Sequence, residues 1–159
     1  MTDRSRNPQA TEALKKFRVI YGCVRQHFRD VEQKCGVSGS QLWILQEVAA
    51  APGIGVSDLA EQLSVHQSTC SQLVEKLVAK GLVVKERSKA DQRRVGLTLS
   101  SKAAKLLRAA PGPAEGVFPD ALKALGKREL RELNASLSNI IEQLRVRDER
   151  FAERPLADL

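Results

Sequence analysis

The chain has 159 residues, 42% of them hydrophobic, and a formal net charge of +7. That length suits one domain, or one domain with long terminal arms, and the basic balance fits a polyanion, an acidic protein or a membrane surface. No stretch approaches the roughly 20 apolar residues needed to cross a bilayer, and Met1–Pro8 holds no apolar core of a signal peptide, so no membrane partner is expected and the expected location is cytoplasmic.

In chain order, residues 1–9 read as a flexible tail. Leu14, Phe17, Tyr21, Val24, Phe28 and Val31 then recur at spacings of 3, 4, 3, 4 and 3. That is a coiled-coil-like stripe, and it predicts a helix over 10–36. Lys15, Lys16, Arg18, Arg25 and Arg29 occupy its other faces. Cys35-Gly36-Val37-Ser38-Gly39 ends this arm. Ser38 with Gln41 reads as a capping box, opening a helix that turns Leu42, Leu45 and Val48 inward. Ala51-Pro52-Gly53-Ile54-Gly55 closes it.

The segment Val56–Ser100 is the most informative. Leu59, Leu63, Cys70, Leu73, Val74 and Leu77 stand three and four apart on the inner faces of two short helices. Ala60 is small where the helices would cross, and Ser64-Val65-His66 is a three-residue break. The outer face of the second helix carries Gln67, Ser68, Thr69, Ser71, Gln72 and Lys76. In helix-turn-helix proteins this N-terminal end enters the major groove. Gln pairs bidentately with adenine, and Ser serves either base pair. The alternative is an ordinary helical hairpin with a polar exposed face.

A hairpin follows. Leu82–Arg87 is apolar and β-branched at its start, and Arg94–Leu99 alternates with Val95, Leu97 and Leu99 on one side. Between them lies the polar turn Ser88-Lys89-Ala90-Asp91-Gln92-Arg93. An arginine at such a tip can enter a minor groove, where negative potential is focused. Lys89, Arg93 and Arg94 are the wing's candidate DNA contacts. Asp91 can orient the Arg93 guanidinium or close the turn with its own side chain. The bland alternative is a solvated turn whose ion pairs contribute roughly 0–1 kcal/mol.

Beyond the hairpin, a short helix is expected over 101–110. The prolines and glycines of Pro111–Pro119 interrupt it, and a helix restarts near Pro119. Leu130, Leu133, Leu137, Ile140 and Leu144 form a second stripe at spacings of 3, 4, 3 and 4. Neither arm can bury its stripe alone. They pack either on each other within one chain or across a two-fold axis. Residues 151–159 read as a second flexible tail.

The helix pair Leu59–Leu77, the Gly81-Leu82-Val83 lead into the wing, and Asp91-x-Arg93-Arg94…Leu97-x-Leu99-Ser100, flanked by long helices, resemble the MarR family of bacterial regulators over most of the chain. The implied fold is mostly α with a small β-hairpin wing. A winged helix-turn-helix over 37–100 is joined to dimerisation helices over 10–36 and 101–150. The resemblance implies a homodimer on double-stranded DNA, bound at a pseudo-palindromic operator and acting as a repressor relieved by a small ligand. In that reading Leu14, Phe17, Tyr21, Leu130, Leu133, Leu137, Ile140 and Leu144 pack across the two-fold axis. A small aromatic or phenolic anion would sit between the arms and the winged module, lined by Tyr21, Arg25, His27 and Trp43. Two positions depart from the family pattern. Ser64 stands where such turns often have glycine, and so must tolerate a less favourable backbone conformation. Cys70 stands where valine is usual.

No chemistry competes with this reading. His27 and His66 are the only histidines. No cluster has metal-ligand spacing, and neither a phosphate loop nor a nucleophile elbow is present, so an enzyme, a metal and a cofactor are not expected. Three cysteines make no even disulfide set. Two other readings remain: a basic helical module holding an acidic protein, which would not need Asp91 and Arg93 at a hairpin tip, and a redox-sensing regulator using Cys23.

Overall fold

The computed structural model describes residues 7–89, 91–113 and 116–159. Residues 1–6 of the expected tail and Ala90 of the expected turn lie outside them. The architecture is mostly helical with one two-stranded antiparallel sheet.

Helix α1 spans Pro8–Cys35. It begins with proline at its first position, where a missing N–H costs nothing. The Asn7 side chain accepts from the Gln9 amide at 3.0 Å, so the helix starts inside the segment expected to be a tail. It ends on Gly36 at φ 66°, a left-handed cap that glycine takes without strain. Helix α2, Gly39–Ala50, opens with both halves of the expected capping box. The Gln41 amide donates to Ser38 Oγ at 3.2 Å, and the Ser38 amide donates to Gln41 Oε1 at 3.1 Å.

Helices α3, Val56–Leu63, and α4, Gln67–Ala79, are joined through Ser64 at φ 53° and ψ 42°. The expected strained turn is therefore present, and Ser64 is the one non-glycine residue at positive φ among the described residues. Ala60 is buried at the crossing, and Cys70 is fully buried among Leu59, Leu63, Leu73, Val74 and Leu77. Strand β1, Val83–Arg87, pairs with β2, Val95–Leu99, from Val83 opposite Leu99 to Arg87 opposite Val95. Leu97 is fully buried, whereas Val95 is 42% exposed and Leu99 half-buried. The expected apolar side of β2 thus meets the core at Leu97 and Leu99, while Val95 at the outer end of the hairpin projects beyond it.

The wing is tied down from behind. The Gly53 amide donates to the Leu97 carbonyl at 2.8 Å, and the Leu97 amide donates to Ile54 at 2.9 Å. A Cβ at Gly96 would lie 2.6 Å from the Gly53 carbonyl oxygen. Only glycine permits this backbone approach.

Helix α5 covers Ser101–Ala109, α6 covers Val117–Lys123 and α7 covers Lys127–Gln143. The restart near Pro119 is α6, but a second break at Ala124–Gly126 separates it from the long stripe-bearing helix. Gly126 opens α7 and donates its amide to Glu129 Oε2 at 2.8 Å. Leu144 lies just past the end of α7. The core runs through α2, α3, α4 and the wing, with Val31 of α1 and Ala103 of α5 closing it.

The C-terminal segment departs from the expectation of a free tail. Short 3-10 turns at Glu149–Glu153 and Leu156–Asp158 fold back against α2. Pro155 is buried, and Ser40 Oγ donates to Asp158 Oδ1 at 2.8 Å. Leu156, Ala157 and Pro155 supply the apolar contact that a composition of scattered charges hides.

Candidate nucleic-acid interface

Helix α4 separates its faces cleanly. Cys70, Leu73, Val74 and Leu77 face the core, while Gln67, Ser68, Gln72 and Lys76 are exposed. Thr69 and Ser71 are half-buried on the flank, so they offer less to a ligand than the other four. His66 caps the helix. The Ser68 amide donates to His66 Nδ1 at 3.3 Å, and the Ser68 hydroxyl lies 2.8 Å from the same nitrogen. That satisfies one of the free N–H groups of the first turn. It also means that the Ser68 hydroxyl would have to leave or share an existing partner to meet a base.

The wing turn is organised by Asp91. Its Oδ1 accepts from the Arg93 amide at 3.0 Å, and its carbonyl accepts from the Arg94 amide at 3.0 Å. The Asp91 amide in turn donates to Ser88 Oγ at 3.2 Å. This is an Asx-type turn. Of the two roles open to Asp91, the structure has the turn-closing one, since the carboxylate meets the backbone of Arg93. Lys89, Arg93 and Arg94 are exposed around this turn. Lys89, Arg94 and Arg87 also line a cleft of about 540 Å³ between the wing and the α2–α3 loop, beside Asp58 and Glu86. Arg87 was not among the expected contacts, although the charge at the end of β1 could have suggested it.

An ion pair between Lys85 of β1 and Glu75 braces the hairpin against α4. Lys80, at the end of α4, donates to the Gly36 carbonyl and to Gln41 Oε1, each at 3.3 Å. Neither lysine stood out in sequence, because both partners are far away along the chain.

The four residues expected at an effector site do not line a single cleft of the chain. Tyr21 and Arg25 line an open cleft of about 680 Å³ together with Phe17, Phe28 and Phe118, and the Arg25 guanidinium lies 5.7 Å from the Tyr21 ring centre. His27 instead points into the interior, where its Nε2 is buried without a hydrogen-bond partner. Trp43 donates to Glu47 Oε1 at 3.1 Å and borders a separate small crevice. The helical period explains the split. His27 is two positions from Arg25, which puts the two on different faces of α1.

The arms do not bury each other. Among the described residues α7 has none that is buried. Phe17 is 61% exposed and Ile140 58%, with Leu14, Tyr21, Leu137 and Leu144 also exposed and Leu130 and Leu133 half-buried. Of the cysteines, Cys23 is exposed on α1 and Cys35 is half-buried. Burial pushes the Cys70 thiol up to about 11, and burial also raises that of Cys35, with Lys34 opposing. No group of three or more His, Cys, Asp and Glu able to hold a metal exists among the described residues. No helix there is long and apolar enough to cross a membrane.

The sequence profile of the MarR family matches residues 36–94, which hold α2, α3, α4 and most of the wing. A Thauera aromatica protein assigned to transcriptional regulation of the hcr operon is 34% identical over 76 residues, 48% of this chain and 46% of that protein. The chain thus spans under half the length of that relative. The HTH-type transcriptional regulator FarR of Neisseria gonorrhoeae is 27% identical over 120 residues, covering 74% of this chain and 82% of FarR. In three dimensions the chain is similar to S. aureus MepR as solved in a complex with DNA, at a TM-score of 0.55 and 22% identity, over 81% of this chain and 94% of that one. These relatives are regulators and not enzymes. Residues 36–94 are thus similar to the MarR family of regulators, and the chain shares the fold of S. aureus MepR.

Proposed function

We propose that this chain is a sequence-specific DNA-binding repressor that acts as a homodimer on a pseudo-palindromic operator and is released by a small ligand. The observation that carries the reading is the pairing of two surfaces. The exposed Gln67, Gln72 and Lys76 of α4 stand beside a wing whose Lys89, Arg93 and Arg94 are exposed around an Asp91-closed turn. A helix of this width fits the major groove with its N-terminal residues toward the bases. A basic hairpin tip fits the adjacent minor groove.

The dimer is supported by the apolar stripes. Among the described residues, Phe17 on α1, Ile140 on α7 and Leu144 just past it remain exposed. Exposed apolar surface on this scale marks an interface. A two-fold pairing brings two copies of α4 to one duplex, so the favoured site has matching half-sites. For the ligand, the cleft beside Tyr21 and Arg25 offers aromatic walls and a cation. That chemistry suits a small aromatic or phenolic anion.

The test is a duplex selected for binding from a random pool. Gln72→Ala should weaken binding to the selected site by roughly 1–3 kcal/mol and relax the base preference at one position in each half-site. An unchanged selected sequence for the variant would remove α4 from base reading.

A further inference from the structure

The segment folded against α2 touches a second place. The His66 amide donates to the Glu153 carbonyl at 3.2 Å. One strap thus runs from His66, the cap residue of α4, through buried Pro155, to Ser40 at the start of α2. Arg154 holds it in shape by donating to the Asp158 carbonyl at 3.0 Å. The strap is acidic on a basic chain. Residues 149–159 hold Glu149, Glu153 and Asp158 against Arg150 and Arg154, three negative charges and two positive, while the whole chain is at +7. It is also lightly held. None of Glu149–Glu153 is buried, and Leu156 is 42% exposed. Few buried contacts place a segment at the low-stability end of a fold, where it can open without global unfolding.

We propose that residues 149–159 form an autoinhibitory latch on the recognition helix. Docked, the strap brings net negative charge to the N-terminal end of α4, the end whose free N–H groups and helix dipole attract anions. A DNA phosphate and the strap compete for that end. Undocked, the strap takes its charge and the Glu153 carbonyl away from the His66 amide, beside the exposed Gln67 and Ser68. The latch rests on the DNA-binding reading above. It adds that the free chain holds part of its affinity in reserve.

The full-length chain tests this with charge-neutral and charge-changing variants. Ser40→Ala with Leu156→Gly removes the anchor without altering any charge, and Ser40→Ala alone serves if the pair folds poorly. Hydrogen exchange at the His66 amide reports docking, and duplex binding at one fixed salt concentration reports affinity. The latch predicts faster exchange at His66 together with binding tightened at least threefold. Glu153→Gln keeps the backbone bond and should tighten binding less. Faster exchange with unchanged or weaker binding overturns the latch, and so does exchange at His66 that the anchor variants leave unchanged. If neither the natural chain nor the undocked variant binds duplex with salt dependence, the DNA reading itself fails and the latch falls with it. Binding by the natural chain that Arg93→Ala weakens keeps the first reading and isolates the second.

Discussion

Arg93 owes its position to a residue of opposite charge. The Asp91 carboxylate closes the turn by accepting from the Arg93 amide, so the two act together although one of them repels DNA. Arg93→Ala should weaken specific binding and lower the salt slope by about one unit per subunit, because one fewer counterion is displaced. Asp91→Ala removes a negative charge, and simple electrostatics would have it tighten binding. Loss of the Asx turn predicts weaker binding instead, seen in titrations at two salt concentrations. Tighter binding at both would show that the turn does not matter. Cys70 makes a different residue-scale claim. Its folded value of about 11 lies above the ordinary 9.0, so the folded chain keeps a proton that the unfolded chain gives up. The stability this contributes is whole below pH 9.0 and is lost as pH rises toward about 11. At pH 8 a thiol reagent should therefore modify exposed Cys23 while Cys70 reacts only on unfolding. Equal rates at the two sites would contradict the buried assignment.

Among the elements, the ones written by local rules were legible. The capping box at Ser38, the Ser64–His66 break and the hairpin each follow from a few adjacent residues, and each stands where the spacing placed it. What the sequence hid depends on distant partners. The strap is anchored by Ser40 and Asp158, 118 residues apart, and no periodicity in Glu149–Leu159 announces that bond. The break at Ala124–Gly126 was masked because the apolar spacing continues beyond it on both sides. The effector quartet is divided for a simpler reason: the helical period turns His27 away from Arg25, and Trp43 lies on α2 beside Glu47. The arms carry the element-scale prediction. Leu133→Glu with Leu137→Glu should yield monomers by light scattering and weaken operator binding, since a charge buried in an apolar interface is costly. A full dimer in that variant would take both residues out of the interface.

At the scale of the whole molecule, charge, fold and exposed surfaces point one way. A winged module carries the basic wing and the polar face of α4, and the exposed apolar residues of α1 and α7 offer a surface for the proposed second copy. Basic balance alone would also suit an acidic protein partner, and that alternative differs in one measurable respect: it needs no preferred duplex sequence. The most direct measurement is the affinity of the intact chain for its best selected duplex against a scrambled duplex of equal length, at moderate salt and with stoichiometry determined. The account predicts a preference of about a thousandfold or more, with two chains on each specific site. Equal affinity for the two duplexes, with binding set by salt alone, would contradict it.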